Sequence, residues 1–163
     1  MTFIFISDLD GTLLGQRDFD FGLIKSDIIN LLDSGHLLVL ASSKTKAEIE
    51  SFCDELGRSV PFIYENGAGV ENFSLVSGCE APPNTYRNPQ AIRTDELLTV
   101  WEKYISIDLK SKCHFVKDMD RCAQQACLGL GAAALKKAMK RSFSLPFTFS
   151  GAESDVQKLK YLT

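Results

Sequence analysis

Residues 3–14 read FIFISDLDGTLL. A short, unbroken run of aromatic and β-branched residues, with no polar alternation, predicts a strand buried on both faces over residues 3–7. Strands of that kind belong to parallel sheets covered by helices. The run ends on Asp8 and Asp10. A chain that folds this way places two carboxylates side by side where the strand emerges, because residues at i and i+2 leave a strand on the same side.

The next hundred residues decide whether that sheet exists. Leu23, Ile24, Ile28, Leu31 and Leu32 share one helical face over residues 22–34, with Gly35 as a stop. Residues 37–41 (LLVLA) form a second apolar strand. In SSKTKAEIESFCDELG, Thr45 and Glu48 have the spacing of a capping box, and Gly57 closes the helix. Residues 60–64 (VPFIY) give a third strand before ENGAG. Strand, helix, strand, helix, strand with continuous apolar strands predicts an α/β architecture built on a parallel sheet. The texture changes around residues 72–84. Residues 68–79 are read as two short strands, and 80–93, with Pro82, Pro83 and Pro89, as a loop. Helices are expected over 94–105, 120–128, 131–141 and 152–162, and a strand over 146–149. This second half reads as α+β.

Open parallel sheets bind ligands beyond the carboxyl ends of their strands. Three polar clusters sit there: Asp8 to Thr12, Ser42 to Thr45, and Glu65 to Gly67. They are expected to converge on one rim. Crowded carboxylates are costly unless a cation lies between them, and an oxygen-preferring divalent ion, Mg²⁺, answers that need. One carboxylate is then placed to attack phosphorus, and the other to carry a proton to the leaving oxygen. Gly11 allows a sharp turn whose backbone N–H groups, with Thr12, face phosphate oxygens. Ser42 and Ser43 offer hydroxyls, Lys44 adds charge, and the start of the following helix favours an anion. An EF-hand is excluded, since Gly11 is fourth with Asp8 counted as the first position, rather than sixth.

Bulk composition narrows the partners. The 163 residues carry a net charge of −3, with 45% hydrophobic and 24% charged residues. No basic field argues for nucleic acid, and no apolar run approaches the ~20 residues of a membrane span. The apolar start lacks a basic segment and is cut by Asp8, so no signal peptide is expected. Five cysteines without a CxxC spacing predict buried thiols in a reducing cytoplasm.

DLDGTLL after an apolar strand resembles the haloacid dehalogenase (HAD) superfamily of phosphohydrolases. ASSKTKAEIE and PFIYENGAG look like its mannosyl-3-phosphoglycerate phosphatase family, and so does ALKKAMKRSFSLPFTF. There Arg141, Phe143, Ser144, Pro146 and Phe147 follow the family pattern, while Leu145 stands where an acidic residue is usual. The resemblance implies a HAD-like Rossmannoid core, present in part over residues 1–71, and an α+β cap over 72–163. It makes Asp8 the nucleophile and a Mg²⁺ ligand. Asp10 becomes the general acid/base, with its backbone carbonyl on the metal, and Ser42 the phosphate-binding hydroxyl. Asn66 and Gly67 line the entrance, and Arg141 meets the polar end of a phosphorylated sugar acid from the cap.

The family pattern also requires a later lysine and a Gly-Asp-x-x-Asn-Asp segment, and neither occurs. Lys158 and Lys160 fall on an expected cap helix and are not assigned the lysine's role. The resemblance therefore implies a chain truncated in its C-terminal half. The edge of the first strand, paired in the family by later strands, would be left open for a second copy or another partner. A catalytically silent interaction module and a phosphotransferase are the competing functions.

Overall fold

In a computed structural model the structure describes residues 1–15, 20–77 and 84–160. Two compact units divide after Ala91: Met1–Ala91 and Ile92–Thr163. That division falls later than the change at residues 71 and 72, because a further strand at Thr85–Arg87 joins the first sheet.

The first unit holds β1 (Ile4–Ser7), α1 (Lys25–Asp33), β2 (Leu37–Ala41), α2 (Lys46–Leu56), β3 (Phe62–Tyr64), β4 (Gly69–Glu71), α3 (Ser74–Ser77) and β5 (Thr85–Arg87). The five strands lie in sequence order in one sheet. β1 pairs with β2 and β2 with β3 in parallel, while β4 and β5 continue the sheet antiparallel. The three strand ends that carry the polar clusters therefore point the same way. Leu40, Ile49, Phe52, Leu56 and Phe62 are buried together with Leu9 and Leu14 from the turn after β1. Phe21 packs its ring 4.5 Å from that of Phe52. α2 begins on the expected capping box: Glu48 N–H donates to Thr45 Oγ1, and Thr45 N–H donates to Glu48 Oε2. Gly57 closes it in the left-handed conformation, φ 75°.

Four expectations need correction. β1 is not buried: it pairs with β2 alone at the sheet edge, and Ile4 and Ile6 are 54% and 70% exposed. Continuous apolar character fits a strand covered on both sides, but it cannot report whether the covering is present. Residues 68–79 give one strand and the short α3 rather than two strands, with 78 and 79 outside the described residues. Part of the expected loop at 80–93 is β5, whose pairing to β4 is non-local and leaves little trace in composition. Pro82 and Pro83 also lie outside the described residues. Finally, the thiols are not uniformly buried. Cys53 and Cys113 are half-buried, Cys122 and Cys127 are exposed, and Cys79 lies outside the described residues.

The second unit contains α4 (Thr94–Tyr104), α5 (Ile107–Ser111), β6 (Cys113–Phe115), α6 (Arg121–Leu128), α7 (Ala132–Ala138), β7 (Phe147–Phe149) and α8 (Glu153–Lys160). β6 and β7 form an antiparallel pair. Ile105, Leu109 and Leu159 are buried, with Trp101, Cys113 and Phe149 packed against them. α5 and β6 were not expected, since residues 106–119 carry no clear period. Among the described residues, no helix is long and apolar enough to cross a membrane.

Candidate active site

Each strand end turns sharply, and each turn has an identifiable cause. After β1, Leu9 is fully buried and anchors the segment. Its carbonyl accepts the N–H groups of Leu13 and Leu14, at 3.1 and 2.8 Å. Gly11 sits at φ 73°, a conformation that glycine adopts without penalty. Anchoring Leu9 turns its neighbours Asp8 and Asp10 outward, and both are exposed. Asp8 Oδ1 accepts the Leu9 N–H at 2.8 Å, which fixes the carboxylate against its own backbone.

After β2, Ser42 is buried, and its N–H donates to the Ile63 carbonyl across the sheet. Its Oγ accepts the Lys44 N–H at 3.2 Å, so the hydroxyl proton is left to donate elsewhere. After β3, Glu65, Asn66 and Gly67 all have positive φ, at 44°, 59° and 95°. Such a run is strained for non-glycine residues and persists only where its surroundings hold it. Here the Glu65 N–H donates to the Lys44 carbonyl at 2.9 Å, and the Asn66 N–H to the Ser42 carbonyl at 3.2 Å. The third turn is thus built on the second.

Together these turns border an open cavity of about 490 Å³ lined by Asp8, Ala41, Ser42, Ser43, Ile63, Asn66 and Gly67. Five of the residues singled out in the sequence meet there. Asp10 and Lys44 do not line it. The Lys44 ammonium lies 2.8 Å from Asp10 Oδ1 and 3.9 Å from Glu48 Oε1. The backbone cradle expected at Gly11 and Thr12 is absent, because their N–H groups donate within the turn, to the Leu14 and Leu9 carbonyls. The first turn of α2 already has an anion at its N-terminus, the Glu48 carboxylate on Thr45. Thr45 is therefore a cap, whereas Ser42 belongs to the cavity.

Nearby charge is otherwise committed. Lys46 lies 2.7 Å from buried Glu71, which also accepts the Thr85 hydroxyl, and the Glu71 hydrogen bond raises the Lys46 pKa above its ordinary value. Burial raises the Tyr64 hydroxyl. Gly69 is required by that ring, since a Cβ there would overlap Tyr64. This glycine and the Lys44 contact are site features that sequence reasoning missed. Neither leaves a local signal, because both depend on segments brought together by the sheet.

Among the described residues no three His, Cys, Asp or Glu side chains gather into a metal-binding group. Mg²⁺ needs only one or two carboxylates when water and phosphate oxygens complete its shell. Asp8, opening on a polar cavity with room for a hydrated ion, fits that donor set.

Arg141 lies in the second unit. Its guanidinium donates to Ser144 Oγ at 3.0 Å, and it lines a smaller cavity of about 120 Å³ with Lys117, Leu145 and Pro146. Lys158, on α8 in the same unit, lies 3.1 Å from Asp155.

Residues 5–88 match the family described as haloacid dehalogenase-like hydrolase. A glucosyl-3-phosphoglycerate/mannosyl-3-phosphoglycerate phosphatase of Persephonella marina is 43% identical over 67 residues, which cover 41% of this chain and 25% of that protein. The protein of the same description from Methanococcoides burtonii is 36% identical over 79 residues, covering 46% and 29%. The chain thus aligns with less than a third of these relatives' length. Among solved structures, a haloacid dehalogenase-like hydrolase from B. subtilis superposes with a TM-score of 0.58 at 13% identity, covering 99% of this chain and 66% of that one. Another from Bacteroides thetaiotaomicron gives 0.56 at 17%, covering 98% and 62%.

Proposed function

The chain belongs to the haloacid dehalogenase-like hydrolases, and from that premise we propose that it hydrolyses a phosphomonoester through an aspartyl-phosphate on Asp8. The observation that carries this reading is the cavity in which the Asp8 carboxylate meets Ser42 and Asn66 from two other strand ends. With Oδ1 held by the Leu9 N–H, Oδ2 is the oxygen that attacks phosphorus. The bond from phosphorus to the ester oxygen breaks, and Asp10, entering this step as the carboxylic acid, gives that oxygen its proton. Water then attacks the acyl phosphate, Asp10 takes its proton, and the bond to Asp8 breaks to release phosphate. Ser42 donates its hydroxyl to a phosphoryl oxygen, and Ser43, Asn66 and Gly67 border the group. Asp8 and the Asp10 backbone carbonyl would hold Mg²⁺, which supplies charge stabilisation for the phosphoryl oxygens.

The substrate class is a small phosphorylated sugar acid such as mannosyl-3-phosphoglycerate, in keeping with the names of the relatives. Within the second unit, Arg141 offers a planar donor pair suited to a carboxylate. A panel of phosphate esters assayed with Mg²⁺ tests the reading. The wild-type chain should release phosphate and Asp8→Asn should not; equal rates would remove the nucleophile. Transfer to an acceptor sugar in place of water would mark a phosphotransferase.

The open edge of β1 favours a second reading, an interaction role through a second copy. Antiparallel pairing of β1 with its symmetry mate sets apolar residues against apolar ones without further matching. Sedimentation should then show a dimer; a monomer at all concentrations would dismiss it.

A further inference from the structure

Residue 44 touches all three strand ends at once. Its ammonium holds Asp10 of the first, its N–H donates to Ser42 Oγ of the second, and its carbonyl accepts the Glu65 N–H of the third. The Lys44 side chain is mostly shielded from solvent, with 13% of it exposed. The carboxylates around the mouth are Asp8 and Asp10, with Glu48 behind them on the α2 cap. Lys46, two residues on, is committed to Glu71 and Glu50. A phosphate dianion entering beside Asp8 would meet like charge from Asp8, Asp10 and Glu48, and Lys44 is the cation set against it.

The geometry points to Lys44 as the charge-balancing residue of the cavity. Its ammonium neutralises the Asp10 carboxylate at 2.8 Å and so admits a phosphate dianion beside Asp8. Lys44 is a positioning residue that acts through Asp10, not a group that itself touches phosphate. This rests on the reading of the cavity as a phosphate site, but it does not require turnover.

Charge balance makes a prediction that direct contact does not. Removing the lysine alone leaves an uncompensated carboxylate, whereas removing both partners leaves no net change in local charge. The test is the affinity of the full chain for inorganic phosphate by isothermal titration, in a cycle of wild type, Lys44→Met, Asp10→Asn and the double variant. Lys44→Met should weaken binding by about tenfold or more, the scale of one partly shielded charge at close range. Asp10→Asn should bind at least as tightly as wild type, and the double variant should return to within about threefold of it. Lys44→Arg should stay near wild type.

Unchanged affinity in Lys44→Met would overturn the inference. So would a double variant as weak as Lys44→Met, since the lysine would then contact phosphate directly. Should Lys44→Met fail to fold, Asp10→Asn and Lys44→Arg carry the test, and weaker binding in Asp10→Asn overturns it. A wild-type chain that binds no phosphate would overturn this inference and the phosphate reading together. A chain that obeys the cycle but releases no phosphate from any ester would keep this inference and remove only the hydrolase.

Discussion

At residue 45 a hydroxyl and a carboxylate three residues on exchange hydrogen bonds with each other's backbone. Thr45→Ala should cost about 1 kcal/mol in urea unfolding, the usual worth of such a cap. Glycine at residue 67 answers a different demand. Nothing lies within 4 Å of a Cβ placed there, yet φ is 95°. Gly67→Ala should therefore destabilise by about 1–2 kcal/mol through backbone strain alone, read in the same unfolding experiment. These two features differ in how openly the sequence displays them. The capping box is legible because both partners lie within one helical turn. The Lys44 contact with Asp10 is not, because the spacing of the two residues says nothing about how the turns after β1 and β2 bring them together.

The elements repeat that contrast. The apolar runs and strand-end clusters of β1, β2 and β3 disclosed a parallel sheet with a polar rim, since each strand carries its own pattern. β5 escaped notice, because its membership of the sheet is decided by β4 rather than by its three exposed residues. β1 was legible as a strand but not as an edge. Its exposure predicts a specific behaviour: Ile6→Lys should suppress self-association in sedimentation while changing unfolding stability by less than about 0.5 kcal/mol, as expected for a surface site. A large loss of stability would mean that Ile6 is covered in solution.

On the scale of the whole molecule, each compact unit has its own buried apolar residues, and the second also buries the Asp155 carboxylate. Hydrogen bonds from Lys112 and then Lys158 hold the Asp155 carboxyl down to about 2, from an ordinary 3.8. A depressed carboxylate stabilises the fold above its unfolded value, and that contribution fades as pH falls through the folded one. Acid unfolding of the wild type should therefore include a loss between about pH 4 and pH 2 that Asp155→Asn lacks. The central claim concerns the other unit: the Asp8 carboxyl captures a phosphoryl group. The most direct measurement is acid quenching of the chain during reaction with a phosphate ester and Mg²⁺, followed by borohydride trapping and peptide mass analysis. The account predicts that reduction of the acyl phosphate leaves homoserine at position 8 of the peptide spanning that position, and that Asp8→Asn shows none. Phosphate release from the wild type with Asp8 unreduced on that peptide would contradict it.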